Sequence, residues 1–202
     1  MNGYPINYEV DYGSGERSRG LAVAGILWFL KAVLLLPHLI VMYFLALVTM
    51  IAAWIGYFAI AFTGKQPDGI TNLIRGTISW GNRILAWIYS TTDEYPPFAF
   101  DAPSYPARTS VDGNGHGERS RGWAVAGIFF LKWIAVLPHL IILWALGLAA
   151  GIGSWIGFWI IAFTGTLPQG LHDFVAGYQR WATRTYGWLG SLTDEYPPFS
   201  LQ

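Results

Sequence analysis

The sequence predicts an all-α integral membrane protein made of two tandem, pseudo-symmetric repeats, each a transmembrane helical hairpin followed by an amphipathic interfacial helix. Residues 21–62 form an apolar run whose one full charge is Lys31, and the run returns at residues 123–163 with Lys132 as its one charge. Charged residues make up 12% of the chain, about half of what is usual in a soluble domain. With so little soluble chain, the core of the protein is expected inside the bilayer.

An offset of about 101 residues relates the two halves of the chain. Such a fixed period indicates a duplicated structural unit, so residues 1–100 are expected to form the first membrane repeat and residues 101–202 the second. The segments that recur are 15–20 with 117–122, 37–40 with 138–141, 60–64 with 161–165, and 92–98 with 193–199.

Each repeat opens with a polar arm. In the first arm Tyr4, Ile6, Tyr8 and Val10 alternate with other residues, which is the pattern of a short strand. Two interpretations stay open: a disordered leader, or two equivalent strands that pair across a pseudo-two-fold axis.

The apolar runs are too long to cross a membrane once. A single helix over residues 21–62 would be roughly 63 Å long, about twice a ~30 Å hydrocarbon core. Pro37 and Pro138 each remove a helical N–H and disfavour the α conformation in the residue before them. We therefore expect a hairpin with its tip near residues 34–39, and its equivalent in the second repeat.

The flanking cations then set the orientation. With a hairpin in each repeat, all of the flanking lysines and arginines fall on one side of the membrane, which the positive-inside rule assigns to the cytoplasm. Both termini are expected there, in a multi-pass protein whose repeats are parallel and related by an axis along the membrane normal. The N-terminal arm is not basic, so no cleaved signal is expected.

Two faces are expected to pack against lipid or a partner. The second span of the second repeat carries small residues at a spacing that lets helices approach closely, namely Gly147, Gly151, Gly153 and Gly157. The third helix, at about residues 70–89 and again at 171–188, has a wide apolar face and a narrow polar stripe. Its stripe includes Arg75, Arg83, Arg180 and Arg184. Such a helix suits the membrane interface, where the stripe would contact anionic headgroups, although a third span with the stripe against protein stays open.

Each repeat closes with Thr-Asp-Glu-Tyr-Pro-Pro-Phe, at residues 92–98 and 193–199. The acidic pair stands at the C-terminal end of a helix, where the helix dipole disfavours it, so we expect it to contact Arg17 and Arg19 on the same side of the membrane. Together with the Pro-His turn at residues 37–38 and Phe-Thr-Gly at 62–64, this motif resembles the bacterial membrane-protein family catalogued as domain of unknown function 4389. The resemblance covers nearly the whole chain in two copies. It implies a bacterial membrane protein, and it implies no activity.

Two histidines and two lysines are the candidate functional groups inside the apolar runs. His38 and His139 could ligate haem iron or a chlorin magnesium through a neutral imidazole. The plainer interpretation is that each one hydrogen-bonds a backbone carbonyl freed by the neighbouring proline. Lys31 and Lys132 are functional candidates because intramembrane charge is costly, but the plainer interpretation is that they snorkel to the interface and contact lipid or a partner.

No catalytic motif is apparent, the chain has no cysteine, and its formal net charge is zero. Zero net charge gives no support to nucleic-acid binding. We therefore expect no enzymatic activity, and we predict a non-catalytic accessory or structural subunit of a larger complex in the bacterial cytoplasmic membrane. Its partners would be membrane lipids and either other membrane-protein subunits or itself. The alternatives are a binder or transporter of a small molecule, pigment or haem that uses the intramembrane His and Lys residues, and a homo-oligomeric scaffold.

Overall fold

Each half of the chain folds into the same series of a strand, a short helix, a long apolar helix and an amphipathic helix. The computed structural model describes residues 3–27 and 29–202. The first half contains β1 (Ile6–Val10), α1 (Arg19–Ile26), α2 (Phe29–Thr63) and α3 (Asp68–Ile88). The second contains β2 (Ala107–Val111), a 3-10 turn (Asp112–Gly115), α4 (Arg121–Ile128), α5 (Leu131–Thr164) and α6 (Gln169–Leu189). The fold is thus mostly helical, with six α-helices in two repeats.

A two-stranded antiparallel sheet joins the opening arms of the two repeats. Tyr8 pairs with Thr109 in the centre, and Ile6 pairs with Val111 at one end. Of the two interpretations of the arm, the paired strand is the correct one. The predicted all-α fold class is therefore too narrow. Tyr8 is fully buried, because its side chain points from the sheet onto α6.

The expected hairpin at the prolines is wrong. Helix α2 runs for 35 residues straight through Pro37, and α5 runs for 34 residues through Pro138. In the second repeat the break comes earlier, at Phe130, whose backbone is left-handed with φ of 60°. A proline inside a helix removes the hydrogen bond to the carbonyl four residues before it, and here a side chain described below donates to the next carbonyl on the same turn.

The helical hairpin does exist, but it turns at the other end of the long helix. Gly64 and Gly165 end α2 and α5 with φ of 78° and 82°, a left-handed conformation that glycine adopts without steric cost. Pro67 and Pro168 then precede the first residues of α3 and α6, where a fixed φ suits the start of a helix. The true hairpins are therefore α2–α3 and α5–α6.

The two repeats interlock through their short helices. Helix α1 packs on α5 of the other repeat, and α4 packs on α2. A Cβ placed on Gly25 would lie 2.7 Å from the ring of Phe158, and one on Gly127 would lie 2.7 Å from the ring of Tyr57. A larger residue at either glycine would clash. Because both contacts join one repeat to the other, residues 1–100 and 101–202 are separate repeats in the sequence but pack together as one unit.

The amphipathic helices α3 and α6 form the centre of the molecule. The Asn82 amide donates to Thr183 Oγ1 at 2.9 Å across their contact. One face of α3 packs Trp80, Ile84 and Trp87 against α2, while its opposite face meets the sheet. The order of layers is therefore the sheet, then α3 and α6, then α2 and α5.

Candidate functional site

The ammonium group of Lys31 lies at the C-terminal end of α3. Its Nζ donates to the carbonyl of Trp87 at 2.8 Å and to Ser90 Oγ at 2.7 Å, and it stands 4.8 Å from the ring centres of both Trp87 and Phe158. Carbonyls at a helix C-terminus carry partial negative charge, and aromatic faces attract cations. Lys31 is thus bound by its own repeat, with one ring supplied by the other.

Lys132 repeats this arrangement at the end of α6. Its Nζ donates to the carbonyl of Trp188 at 2.6 Å and to Ser191 Oγ at 3.2 Å, with the rings of Trp188 and Tyr57 at 4.3 and 5.3 Å. Lys31 and Lys132 are only 2% and 0% exposed. The expectation that they contact lipid or snorkel to the interface is therefore wrong: they cap two helices inside the protein.

His38 lies in an aromatic pocket between α2, α3 and the segment that closes its own repeat. We call residues 92–101 and 193–202 the closing segments. The indole Nε1 of Trp80 donates to its Nδ1 at 3.0 Å, and the ring of Phe98 stacks on the imidazole at a centroid distance of 3.7 Å. Because Nδ1 accepts a hydrogen bond, the neutral imidazole carries its proton on Nε2. Nε2 is buried and has no hydrogen-bond partner within the described residues.

His139 occupies the equivalent pocket of the second repeat. Trp181 donates to its Nδ1 at 2.8 Å, and Phe199 stacks on its ring at 3.8 Å. The contacts of each imidazole come from its own repeat, so the structure does not join His38 and His139 into one site. Both residues are 0% exposed, and a haem or chlorin could reach Nε2 only by displacing the closing segment.

The polar stripes of α3 and α6 face protein and not lipid. Arg83 donates to the carbonyl of Phe100 at 3.1 Å, and Arg184 donates to the carbonyl of Ile6 at 3.3 Å. Burial lowers the pKa of both guanidinium groups, although an arginine stays charged in proteins. Both residues are buried, so the predicted headgroup contacts of Arg83 and Arg184 are corrected to contacts with backbone carbonyls.

The other two stripe arginines also contact protein groups. Arg180 donates to the carbonyls of Tyr8 at 2.9 Å and Leu201 at 2.8 Å. Arg75 forms an ion pair with Asp101 at 3.2 Å. The stripe therefore holds the strands and the closing segments onto the central helices.

The glycine face of α5 packs inside the chain. A Cβ on Gly147 would lie 3.0 Å from the hydroxyl of Tyr178, and a Cβ on Gly153 or Gly157 would lie 2.9 or 2.8 Å from Leu171. Both of these contacts belong to α6. These three glycines allow α5 and α6 to approach, so the partner that the sequence predicts for them is a neighbouring helix of the same repeat.

Gly151 lines a cavity of about 450 Å³ between the two repeats, a size within the range of small-molecule pockets. The cavity is bounded by apolar side chains of α3 and α5 and by Lys31. Ser154 also lines it, and its Oγ is buried without a hydrogen-bond partner in the part of the chain that the structure describes. A buried hydroxyl without a partner is uncommon and marks this cavity as a candidate binding site.

Sequence reasoning missed the role of the closing tyrosines. The Tyr95 hydroxyl donates to the carbonyl of Leu34 at 2.7 Å, and the Tyr196 hydroxyl donates to the carbonyl of Ala135 at 2.6 Å. Each acceptor lies three residues before the helix proline. The repeated Tyr-Pro-Pro-Phe motif marked these tyrosines, but only the fold brings them to the prolines.

The acidic pairs of the closing motifs do contact the Arg-Ser-Arg segments that were predicted to bind them. The contact is made to the backbone of those segments and not to their arginine side chains. The Asp93 carboxylate accepts a hydrogen bond from the backbone N–H of Ser18, and the Asp194 carboxylate accepts one from Ser120 at 2.7 Å. The guanidinium of Arg17 instead donates to the carbonyl of Ser90 at 3.0 Å. The expected side-chain ion pair is therefore replaced by hydrogen bonds to main-chain groups.

The outer surface of the long helices is apolar along its whole length. Leu30–Thr63 and Leu131–Thr164 are long and apolar enough to cross a membrane, and only 6% and 22% of their most apolar windows are buried in the protein. The exposed side chains are mainly leucine, isoleucine, valine and aromatic residues, from Leu30 to Phe62 on α2 and from Leu131 to Phe163 on α5. We call this surface the apolar face.

Comparison with known proteins gives one match. The family model described as "Domain of unknown function (DUF4389)" matches the chain twice, over residues 27–99 and 128–200. No curated protein matches significantly, and no solved structure does. Each match covers one long helix, its hairpin partner and the closing segment.

Proposed function

The chain belongs to the DUF4389 family of domains of unknown function, and from that premise we propose that it is a non-catalytic accessory subunit of a larger membrane-protein complex. The proposed location is the cytoplasmic membrane of a bacterium, with both termini on the cytoplasmic side. Its partners would be membrane lipids and a larger membrane protein.

The apolar face is the observation that supports this proposal. Contiguous apolar patches on soluble monomers rarely exceed a few hundred Å². Here two helices of 35 and 34 residues are exposed along one side, and each would be about 51–53 Å long. Such a surface needs lipid or a membrane partner to cover it.

The state of the ionisable groups favours a structural role. Buried charged or titratable groups with a catalytic task usually meet at one site with a reacting partner. Here the buried lysines and arginines bind main-chain carbonyls, as Lys132 binds Trp188 and Arg184 binds Ile6. Their burial is explained by the interactions that hold the fold together.

Purification from native membranes in a mild detergent tests the accessory role. The expected result is stoichiometric co-purification with a larger membrane protein, identified by mass spectrometry. The same larger protein should not co-purify with an unrelated tagged membrane protein that is extracted in parallel. A single monodisperse species without partners would contradict the proposal. A homo-oligomer of this chain alone would support the scaffold alternative.

A second candidate function, the binding of an apolar small molecule, is favoured by the cavity at Ser154. At equivalent positions the first repeat has Met50 in place of Gly151 and Ala53 in place of Ser154. The two repeats therefore differ at the residues that line this cavity. A ligand with a hydrocarbon chain and a hydrogen-bonding head would suit the apolar walls and the free hydroxyl.

A fluorescent fatty acid, 11-(dansylamino)undecanoic acid, probes this second function. We expect its emission to rise on binding and to lose most of that rise in Gly151→Met, because the methionine side chain would extend into the cavity. The matched control is Met50→Gly in the other repeat, which leaves the cavity unchanged. Equal binding by both variants would exclude the cavity as the binding site.

A further inference from the structure

The direction of the pseudo-two-fold axis is fixed by two contacts between equivalent residues. Tyr8 pairs with Thr109 in the sheet, and Asn82 bonds Thr183 between the central helices. In both pairs the residue numbers differ by 101, the repeat offset. The axis therefore passes through the centre of the sheet and between α3 and α6.

This axis is perpendicular to the central helices. Tyr89, near the end of α3, contacts Tyr178 in the first half of α6 with ring centroids 6.4 Å apart. Gly190, just after α6, packs against Ile74 near the start of α3. Helices α3 and α6 are thus antiparallel, and a two-fold axis that exchanges antiparallel helices must run across them.

Each long helix is antiparallel to its central helix. On α2, Lys31 binds Trp87, and His38 binds Trp80. Further along, Thr49 bonds Thr77 through their hydroxyls at 2.8 Å. Since the second repeat follows the same plan, all four helices lie roughly perpendicular to the axis, and the hairpin turns of the two repeats stand at opposite ends of the molecule.

The two ends of the axis differ strongly in polarity. At one end lies the sheet, where Arg108 and Asp11 form an ion pair at 2.9 Å with side chains 46% and 57% exposed. At the other end lies the apolar face. Because the layers are stacked along the axis, the molecule as a whole is amphipathic in that direction.

A placement with the long helices upright conflicts with this geometry. The apolar stripe from Leu30 to Phe62 spans about 48 Å, so fitting it to a ~30 Å core would need a tilt of roughly 50°, beyond the ~0–40° seen for transmembrane helices. An upright molecule would also place the Arg108–Asp11 pair beside the middle of the bilayer. Exposed charge at that depth is strongly disfavoured.

We propose that the protein lies in one leaflet, with α2 and α5 in the plane of the membrane and the sheet in water, and does not cross the bilayer. The occupant of the apolar face is the acyl-chain region of that leaflet. A layer one helix thick, about 10 Å, matches the ~5–10 Å depth to which in-plane amphipathic helices enter a membrane. The proposal rests on the proposed membrane association and replaces the multi-pass arrangement that the sequence predicts.

Single cysteines test the proposal cleanly, because the natural chain has none. Gly69 and Gly170 are equivalent positions at the starts of α3 and α6, and a Cβ on either meets nothing within 4 Å. They mark the two hairpin turns, at opposite ends of the molecule. Ser110 reports on the sheet, and Ile141, which is 67% exposed, reports on the apolar face.

Each variant is labelled with a membrane-impermeant maleimide in sealed vesicles of known orientation. We expect Gly69→Cys, Gly170→Cys and Ser110→Cys to react from the same side, and Ile141→Cys to react only after detergent is added. Labelling of Gly69→Cys and Gly170→Cys from opposite sides would overturn the in-plane placement. Release of the protein from membranes by carbonate at high pH would instead refute membrane insertion, and with it the proposed function.

Discussion

Tyr95 donates its hydroxyl hydrogen to the carbonyl of Leu34 at 2.7 Å, three residues before Pro37. Proline has no N–H, so the carbonyl of Val33, four residues before Pro37, loses its helical donor, and the proline ring crowds that turn. No water is present among acyl chains to replace a lost donor. The closing motif of the repeat thus adds a hydrogen bond to the turn that Pro37 disrupts, and Tyr196 does the same for α5 at Ala135.

Removal of this hydroxyl should destabilise the protein. We predict that Tyr95→Phe lowers the free energy of unfolding by about 1 kcal/mol, because the Leu34 carbonyl loses its hydrogen bond. Tyr196→Phe should have a similar effect. Chemical denaturation in lipid nanodiscs measures both, with Tyr43→Phe, a 63% exposed tyrosine of α2, as the control that should change nothing. Equal stability of all three variants would show that the hydroxyls do not support the helix at the prolines.

The buried lysines should behave as helix caps. We predict that Lys132→Met costs about 1–3 kcal/mol of stability, because the Trp188 carbonyl and Ser191 hydroxyl lose their donor. Lys31→Met should cost a similar amount. Lys65→Met removes an exposed lysine and should be neutral. If Lys31→Met and Lys132→Met instead abolished a function while leaving thermal unfolding unchanged, the two lysines would be functional groups and not caps.

Arg83 should hold the closing segment of the first repeat. We predict that Arg83→Met raises the rate of chymotrypsin cleavage at Phe98 and Phe100 by about tenfold or more, since each lost bond from a charged donor is worth about 1.5–3 kcal/mol. Arg108→Met breaks only an exposed ion pair and serves as the control. If Arg83→Met altered only the dependence on anionic lipid, and not the cleavage rate, the headgroup interpretation would be correct after all.

His172 should make stability depend on pH. Burial lowers the pKa of His172, partly offset by its hydrogen bond to Asp173, so the folded protein favours the neutral imidazole. Stability is then complete above the unfolded pKa of about 6.5 and falls as the pH drops below it. We expect the unfolding temperature to fall between pH 7 and pH 5 by more in the natural protein than in His172→Thr.

Threonine is the matched substitution because Thr71 occupies the equivalent position in the first repeat. The same pH profile in the natural protein and in His172→Thr would mean that His172 contributes nothing to the dependence. The comparison removes the background from the carboxylates, which titrate alike in both proteins.

The repeat, the apolar helices and the family could be read from the sequence, because each rests on local patterns. The 101-residue offset and the closing motif needed no structure. The C-terminal end of each apolar run matches the end of a long helix, while the first residues of each run belong to the short helices α1 and α4. The amphipathic character of α3 and α6 followed from helical periodicity.

The position of the hairpin could not be predicted, because it depends on a contact distant in sequence. Pro37 is a helix breaker by local rules, whereas the Tyr95 hydroxyl, 61 residues after the Leu34 carbonyl to which it donates, adds a hydrogen bond to the turn before the proline. Gly64 is a local turn signal of equal strength, and the sequence alone does not show whether the hairpin turns at Pro37 or at Gly64. The contacts of the stripe arginines could not be predicted for the same reason. A basic stripe has the same sequence pattern whether it faces lipid headgroups or, as for Arg83, main-chain carbonyls.

The orientation of the long helices in the membrane is the central claim, and polarised infrared spectroscopy of the protein in aligned bilayers measures it most directly. The amide I dichroism reports the mean angle between the helix axes and the membrane normal. The in-plane placement predicts that the helix axes lie on average close to the membrane plane, nearly at a right angle to the normal. The reason is that α2, α3, α5 and α6 are all roughly perpendicular to the pseudo-two-fold axis. A mean angle within about 40° of the normal, as in transmembrane helices, would contradict it.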